Sequence, residues 1–454
     1  MSQETVVKRL APDVVDRQFK ERTQRSAALH ARVAELMPRG VSGAAKHFEP
    51  YPVFIASASG DRVVDVDGHM YVDLLMGAGP MLLGHGHPRV VEAIQRQAAV
   101  MTNPMMPNEL SIEYAERLRG HMPYLERLRF TNTGSEATRT AVRIARAATG
   151  RLLIAKAEGG FHGSDDAFLV STHSRELRGT DARPEPVLDY AGLSPRLLDE
   201  VILIPYNDPV AAAEIIAEHG DELAAVILEP VAFSSGGGIP ATREFARAVR
   251  DATTKVGAAL IFDEVLCAFR MGLGGAPEYT GVTPDIATAG KAIGGGMPLA
   301  LVGGRADLFE ATLGSNAGDR YIFQSGTFTE NPLSMAAGMA ALDVLEEEPI
   351  LERADSSAER IRDGLRTACD SAGVTASVTG SRSIFQIHFG VDTVNNRRDV
   401  LRSDHEMTRN FLLGMVAQGV LWPPVHPAVT SGAHSDESAD LVVIAAGRVL
   451  AELN

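Results

Sequence analysis

Between about Met76 and Ala340, short apolar runs such as LLIAKA, EVILIP, AAVILEP and AALIFDE alternate with longer stretches of helical periodicity, among them TRTAVRIARAAT and ATREFARAVRDATTKVG. No other feature constrains the chain as much. A strand that is apolar along its whole length must be covered on both faces, and an amphipathic helix supplies that cover. Repeated βα units therefore predict an α/β fold with a mostly parallel central sheet. In such a sheet, functional side chains are expected at the carboxyl ends of the strands.

The flanking segments read differently. DRQFKERTQRSAALHARVAELM, residues 16–37, predicts one amphipathic helix stopped by Pro38 and Gly40. PVFIASASGDRVVDVDGHMYVDLL, residues 52–75, alternates apolar and polar positions with Ser-Gly-Asp and Asp-Gly turns, as a small antiparallel sheet does. After the α/β region come the helical stretches MAAGMAALDVLEEE and LERADSSAERIRDGLRTACDSA, the strand-like SIFQIHFG, and a last helix near ESADLVVIAAGRVLAEL. A chain of 454 residues is long enough for two or three packed domains. The expected division is an N-terminal helix and small-domain segment over 1–75, a large domain over 76–335, and a C-terminal small-domain segment over 336–454. No internal repeat or low-complexity linker interrupts it.

Charge and cysteine content narrow the function classes. A net charge of −15 opposes generic binding to nucleic acid or to anionic membranes. The two cysteines, Cys267 and Cys369, give neither a disulfide framework nor metal-ligand spacing, so no metal is expected. With no apolar run long enough to span a bilayer and no apolar leader segment, a cytoplasmic protein is expected.

Four segments carry chemistry jointly, although none suffices alone. In RLRFTNTGSEATRTAVRIARAATG a short strand meets Thr133, Gly134 and Ser135 and opens a helix. Backbone N–H groups at a helix start, with a glycine allowing close approach, make a phosphate site; the same residues also read as a simple T-x-x-E capping box from Thr133 to Glu136. GAALIFDEV ends in Asp263 and Glu264. An aspartate there can keep a pyridinium nitrogen protonated, and the rival reading as an ATPase metal-binding strand fails because no G-x-x-x-x-G-K-[ST] loop occurs. In PDIATAGKAIGGGMPLALVGG, Lys291 stands among small and apolar residues on a strand-to-turn segment, where desolvation favours the neutral amine that imine formation needs. FQSGTFTENPLSMAAG, by itself only a hydroxyl-rich turn before a helix, adds a further hydroxyl. A phosphate cradle, a pyridinium partner and a shielded amine together point to pyridoxal 5′-phosphate (PLP).

The sequence resembles the class III, fold-type I aminotransferases, and within them the branch that holds glutamate-1-semialdehyde aminomutase and the β-amino acid aminotransferases. The resemblance runs from about Gly40 to the C-terminus through VDVDGHMYVDLL, GPMLLGHGHP, TNTGSEAT, GGFHG, ILEPV, IFDEV, GKAIGGGMP and GTFTENP. It implies that Lys291 carries PLP as a Schiff base and that Asp263 pairs with the pyridine nitrogen. Gly134 and Ser135, next to Thr133, would hold the phosphate. Phe161 and Val265 would cover the two faces of the ring; tyrosine is commoner at the first position, which removes a hydroxyl. Thr327 would reach the phosphate of the neighbouring subunit, which implies a homodimer with shared sites. Glu229 is either a carboxylate behind the cofactor or a buried structural acid, and His162 is assigned only to the shape of the Gly160–Gly163 turn.

The departures from this pattern concern the substrate. Lys46, in GVSGAAKHF, stands where relatives place a carboxylate-binding arginine, and Ala78, in MGAGP, replaces an expected aromatic residue. Lys46 is therefore expected to meet a substrate carboxylate as a point charge, and Ala78 to open space for an apolar portion. The glycine-rich gating segment of the aminomutase is replaced by STHSRELRGTDARPEPVLDYAGLSP. The implied activity is an aminotransferase working on a small-molecule amino donor and a carbonyl acceptor. The alternative is an aminomutase that moves the amino group within one molecule. A catalytically silent binding protein is disfavoured, because Lys291 and Asp263 are both present.

Overall fold

The computed structural model describes residues 12–234 and 237–452. Its centre is a seven-stranded sheet of β1 (Arg127–Thr131), β2 (Leu153–Ala157), β3 (Val201–Ile204), β4 (Leu223–Leu228), β5 (Ala259–Glu264), β6 (Ile286–Ala289) and β7 (Ala300–Gly304). The strands run in the order β1-β7-β6-β5-β4-β2-β3. Only β7 is antiparallel to its neighbours; every other pairing is parallel.

Burial on both faces explains the continuous apolar runs. Ile227 and Ile261 point to one side, against Ala141, Ile144 and Ala145 of the helix Gly134–Thr149. Their neighbours Leu228, Leu260 and Phe262 point to the other, against Ile215 and Ile216 of Pro209–Glu218 and Phe245 and Val249 of Arg243–Val256. Each such side chain contributes about 1.5–3 kcal/mol on full burial. A one-residue slip of any strand would exchange the two sets.

The smaller lobe joins both ends of the chain. Strands Ile55–Ser59, Arg62–Asp65 and Met70–Asp73 form an antiparallel meander, and Val420–Leu421 adds to Met70–Asp73 in parallel. Phe19, Tyr71, Phe385, Phe411 and Trp422 meet in its core. Two features differ from the sequence reading. The expected single N-terminal helix is two, Pro12–Arg22 and Gln24–Ala34. The chain breaks at Thr23, whose hydroxyl donates to the Phe19 carbonyl, while Asp67 accepts from the N–H groups of Arg25 and Ser26 and so starts the second helix. A helix at His405–Ala417 was not foreseen; Phe411, Leu412, Leu413, Met415 and Val416 bury it nearly all round, which erases a one-sided apolar stripe.

Arg270 ties the lobes together. Fully buried, it donates Nε and Nη2 to the Gly79 carbonyl (3.2 and 2.8 Å), and Nη1 to Ser383 Oγ (2.9 Å) and the Thr430 carbonyl (2.8 Å). Burial lowers its pKa to about 10, and its donors are met by neutral oxygens. Among the described residues, no helix is long and apolar enough to cross a membrane.

Candidate active site

Parallel pairing of β5 with β6 sets Asp263 opposite Thr288 and brings the carboxyl ends of both strands to one edge. Asp263 is buried and held on both oxygens. Oδ1 accepts from the Val265 N–H (3.1 Å) and the Thr288 hydroxyl (3.2 Å), and Oδ2 lies 2.9 Å from His162 Nδ1. Burial lowers the His162 pKa against the opposing pull of the carboxylate, and a bond to Asp263 requires Nδ1 to be the donor. Its Nε2 is buried without a hydrogen-bond partner among the described residues. His162 thus orients the carboxylate, a role that sequence reasoning missed although GGFHG drew attention to the turn.

Lys291 begins the turn that follows β6, after Gly290, with φ of +48°. A lysine in this left-handed region carries backbone strain, which concentrates at functional sites. Burial lowers its pKa to about 8, against the opposing pull of Glu229 and Asp263. Among the described residues Nζ has no hydrogen-bonding partner and faces the Phe233 ring at 5.1 Å. Gly79, fixed by Arg270, closes in from the side: a Cβ there would come within 3.2 Å of the lysine Cδ.

The helix Gly134–Thr149 begins at the same edge. Thr133 caps it by accepting from the Glu136 N–H (3.2 Å), and the Glu136 carboxylate accepts in return from the N–H groups of Asn132 (2.8 Å) and Thr133 (3.2 Å). The capping box and the cradle coexist, since the cap takes up the Thr133 hydroxyl while Gly134 and Ser135 line the cleft. A Cβ on Gly134 would lie 2.7 Å from a γ-methyl of Val265. Ser135 Oγ accepts from the Ser164 N–H (3.1 Å), and Thr138 donates to the His162 carbonyl (2.7 Å), clamping the 159–163 loop to the helix.

Glu229, just past β4, accepts the Phe161 N–H on Oε1 (2.7 Å) and the Phe233 N–H on Oε2 (3.1 Å). Burial, and secondarily the charge of Asp263, raises its pKa to about 8. Gly134, Ser135, Phe161, Glu229, Asp263, Val265 and Lys291 line one cleft of about 580 Å³, counting its open mouth, together with Phe233, Leu266 and Cys267. Phe233 was also missed, because it sits in an irregular segment with no motif around it.

Thr133 caps the helix just outside the lining, and three further candidates lie elsewhere. Lys46 is exposed on the 44–46 turn, with Nζ donating to Ser42 Oγ (3.1 Å), and is not among the residues lining the cleft. Ala78 occupies the tight turn before Gly79 at φ of +65° and also stands outside the lining. Thr327 is exposed on the 321–331 segment, where its carbonyl accepts from Asn103 Nδ2 (3.1 Å), away from the cleft of its own chain.

Residues 43–433 match the family model for class-III aminotransferases. The chain belongs to that family. Among its relatives is a glutamate-1-semialdehyde 2,1-aminomutase of Rhodopirellula baltica, 38% identical over 94% of this chain and 96% of the relative. An omega-transaminase from Sphaerobacter thermophilus superposes with a TM-score of 0.87 at 33% identity, over 94% of this chain and 97% of that one. A structure described as a transaminase with PLP bound gives a TM-score of 0.83 at 32% identity, over 94% and 97%. This class-III aminotransferase is accordingly a fold-type I enzyme, and its family works with PLP. The cleft fits that group: the space beside Gly134 would be filled by a Cβ, a buried carboxylate stands at the strand end, and an amine with no hydrogen-bonding partner among the described residues lines the same cleft.

Proposed function

We propose that the enzyme moves an amino group between two molecules, from an amino acid or amine donor to a keto acid or aldehyde acceptor. The observation that carries this reading is the state of the segment bordering the cleft. Asp189 accepts the N–H groups of Thr172, His173 and Ser174 at 3.0–3.1 Å, and Arg398 joins Glu158 to the Arg178 carbonyl and Asp181. Transfer within one molecule needs the intermediate held between two half-reactions. A segment closed on itself by Asp189 and tied at its middle to Arg398 suits exchange of one substrate for another.

Bound PLP supplies an electrophilic carbon and a ring that accepts electrons from the carbon being deprotonated. The N–H groups at the start of the helix Gly134–Thr149 and the Ser135 hydroxyl would hold its phosphate. Asp263, oriented by His162 and Thr288, would hold the ring nitrogen in its protonated form, and Phe161 and Val265 would exclude water from the two faces. Lys291 would hold the cofactor, and its amine would take the proton from the carbon that bears the amino group. A pKa of about 8 leaves an appreciable fraction of its amine free to do so near neutral pH.

A homodimer with shared sites belongs to the same proposal, as does work in the cytoplasm. Met105, Met106, Phe323 and Phe328 are exposed on adjoining segments, joined where Asn103 donates to the Thr327 carbonyl and Asn108 to the Glu330 carbonyl. A second copy covering them would bring Thr327 to the partner's phosphate site.

The second reading, an aminomutase, is favoured by relatives of that name at 34–38% identity. Screening amino donors against pyruvate and 2-oxoglutarate decides between the two. Turnover that requires a second amino acceptor supports the aminotransferase, whereas isomerisation of glutamate-1-semialdehyde with no acceptor present overturns it.

A further inference from the structure

Two aromatic rings flank the cleft, and each is backed by an imidazole. Phe161 meets His173 edge-on at 5.5 Å, and Phe233 stacks on His426 at 6.1 Å with 15° between the planes. The backbone N–H groups of both phenylalanines end on one carboxylate, Glu229, one on each oxygen. Neither contact involves a side chain of the aromatic residues, so Glu229 sets where their backbones stand rather than how their rings are filled.

We propose that Glu229 is a positioning residue: it acts as a strut that fixes the gap between the Phe161 and Phe233 walls over Lys291, and thereby selects donors that carry an apolar, planar group. The inference rests on reading the cleft as the cofactor and substrate site. Its physical basis is the acceptor count. A carboxylate offers an acceptor on both sides, whereas glutamine, nearly the same in shape, offers one acceptor and one N–H₂. Glu229→Gln must therefore set a donor against one of the two N–H groups and release that aromatic residue. Phe233 lies against Lys291, so its release alters a wall that a ring-bearing substrate would touch, and release of Phe161, which lines the same cleft, alters how the cofactor behind that substrate is held.

The test uses the holoenzyme with 1-phenylethylamine and isopropylamine as probe donors. In Glu229→Gln the KM for 1-phenylethylamine should rise about tenfold, roughly the size of one hydrogen bond. The KM for isopropylamine should change less than about twofold, so the split between the donors lies in KM. The visible circular dichroism of the bound cofactor should fall by about half, because the ring facing it is no longer fixed. Phe233→Leu should reproduce the donor split, and adding Glu229→Gln to it should deepen the split little. An unchanged dichroism band, or equal losses for both donors, overturns the proposal and leaves Glu229 a buried structural acid. Should Glu229→Gln fail to fold, Glu229→Asp is read by the same criteria, since it keeps two acceptors on a shorter reach. If the wild-type enzyme accepts neither donor, the amine branch of the proposed function fails, and the dichroism alone decides the strut.

Discussion

Replacing Gly134 by alanine tests the phosphate cradle and the face of the cofactor site together. The added Cβ would lie 2.7 and 2.8 Å from the two γ-carbons of Val265 and 3.3 Å from its Cβ. Carbon atoms pack best at about 3.5–4.0 Å, so the valine or the helix start must retreat by roughly 1 Å. Rotating Val265 can turn only one of its two methyls away, and its Cβ, 3.3 Å from the added atom, stays where it is. Retreat is limited too, because the valine N–H is bonded to Asp263. Overpacking of this kind costs about 1–3 kcal/mol. Here it falls on the groups assigned to PLP, so the cofactor dissociation constant should rise about five- to 150-fold. The apoenzyme should lose less, since alanine is better than glycine in a helix by up to about 1 kcal/mol. Titration of apoenzyme with PLP, beside thermal unfolding of the same samples, measures both effects. Gly134→Ala combined with Val265→Ala should bind PLP much more tightly than Gly134→Ala alone, because the obstructing methyls are gone. Wild-type affinity in Gly134→Ala, or a double variant no better than the sum of its single losses, would refute the reasoning.

Borohydride reduction should fix the cofactor on Lys291 by peptide mapping, and Lys291→Ala should lose amino transfer; a label on another lysine would sink the assignment. The folded-state pKa of Lys291, about 8 against an ordinary value of 10.5, also predicts a pH effect on the apoenzyme. Between these values the unfolded chain binds a proton that the folded chain has released, so wild-type stability relative to Lys291→Met should rise from about pH 8 to 10, as measured by urea unfolding. Arg270→Met should destabilise the fold by about 2–4 kcal/mol in the same assay, since it leaves the Gly79 and Thr430 carbonyls without their buried donor. Thr327→Ala should weaken PLP retention about tenfold if its hydroxyl reaches a partner's phosphate, and unchanged retention in a sedimenting dimer would remove it from the site.

Much of this protein was legible in the order of its residues. The continuous apolar runs required a sheet covered on both faces, and strand ends at Asp263 and before Lys291 followed from where those runs stop. Thr133, Gly134 and Glu136 announced a helix start by local chemistry alone, and the model shows that cap in full. What depends on contact between distant segments could not be read. The break at Thr23 is set by Asp67, and the site's inner structure, His162 on Asp263 and Glu229 on the Phe161 N–H, joins residues 101 and 68 positions apart. The placement of Lys46, Ala78 and Thr327 outside the cleft lining of their own chain likewise came only with the packing. The division has one physical cause. Periodicity and capping are short-range and act through neighbours in the chain, whereas a buried carboxylate takes whichever donors the packed strands and loops bring to it, and those are chosen by tertiary geometry.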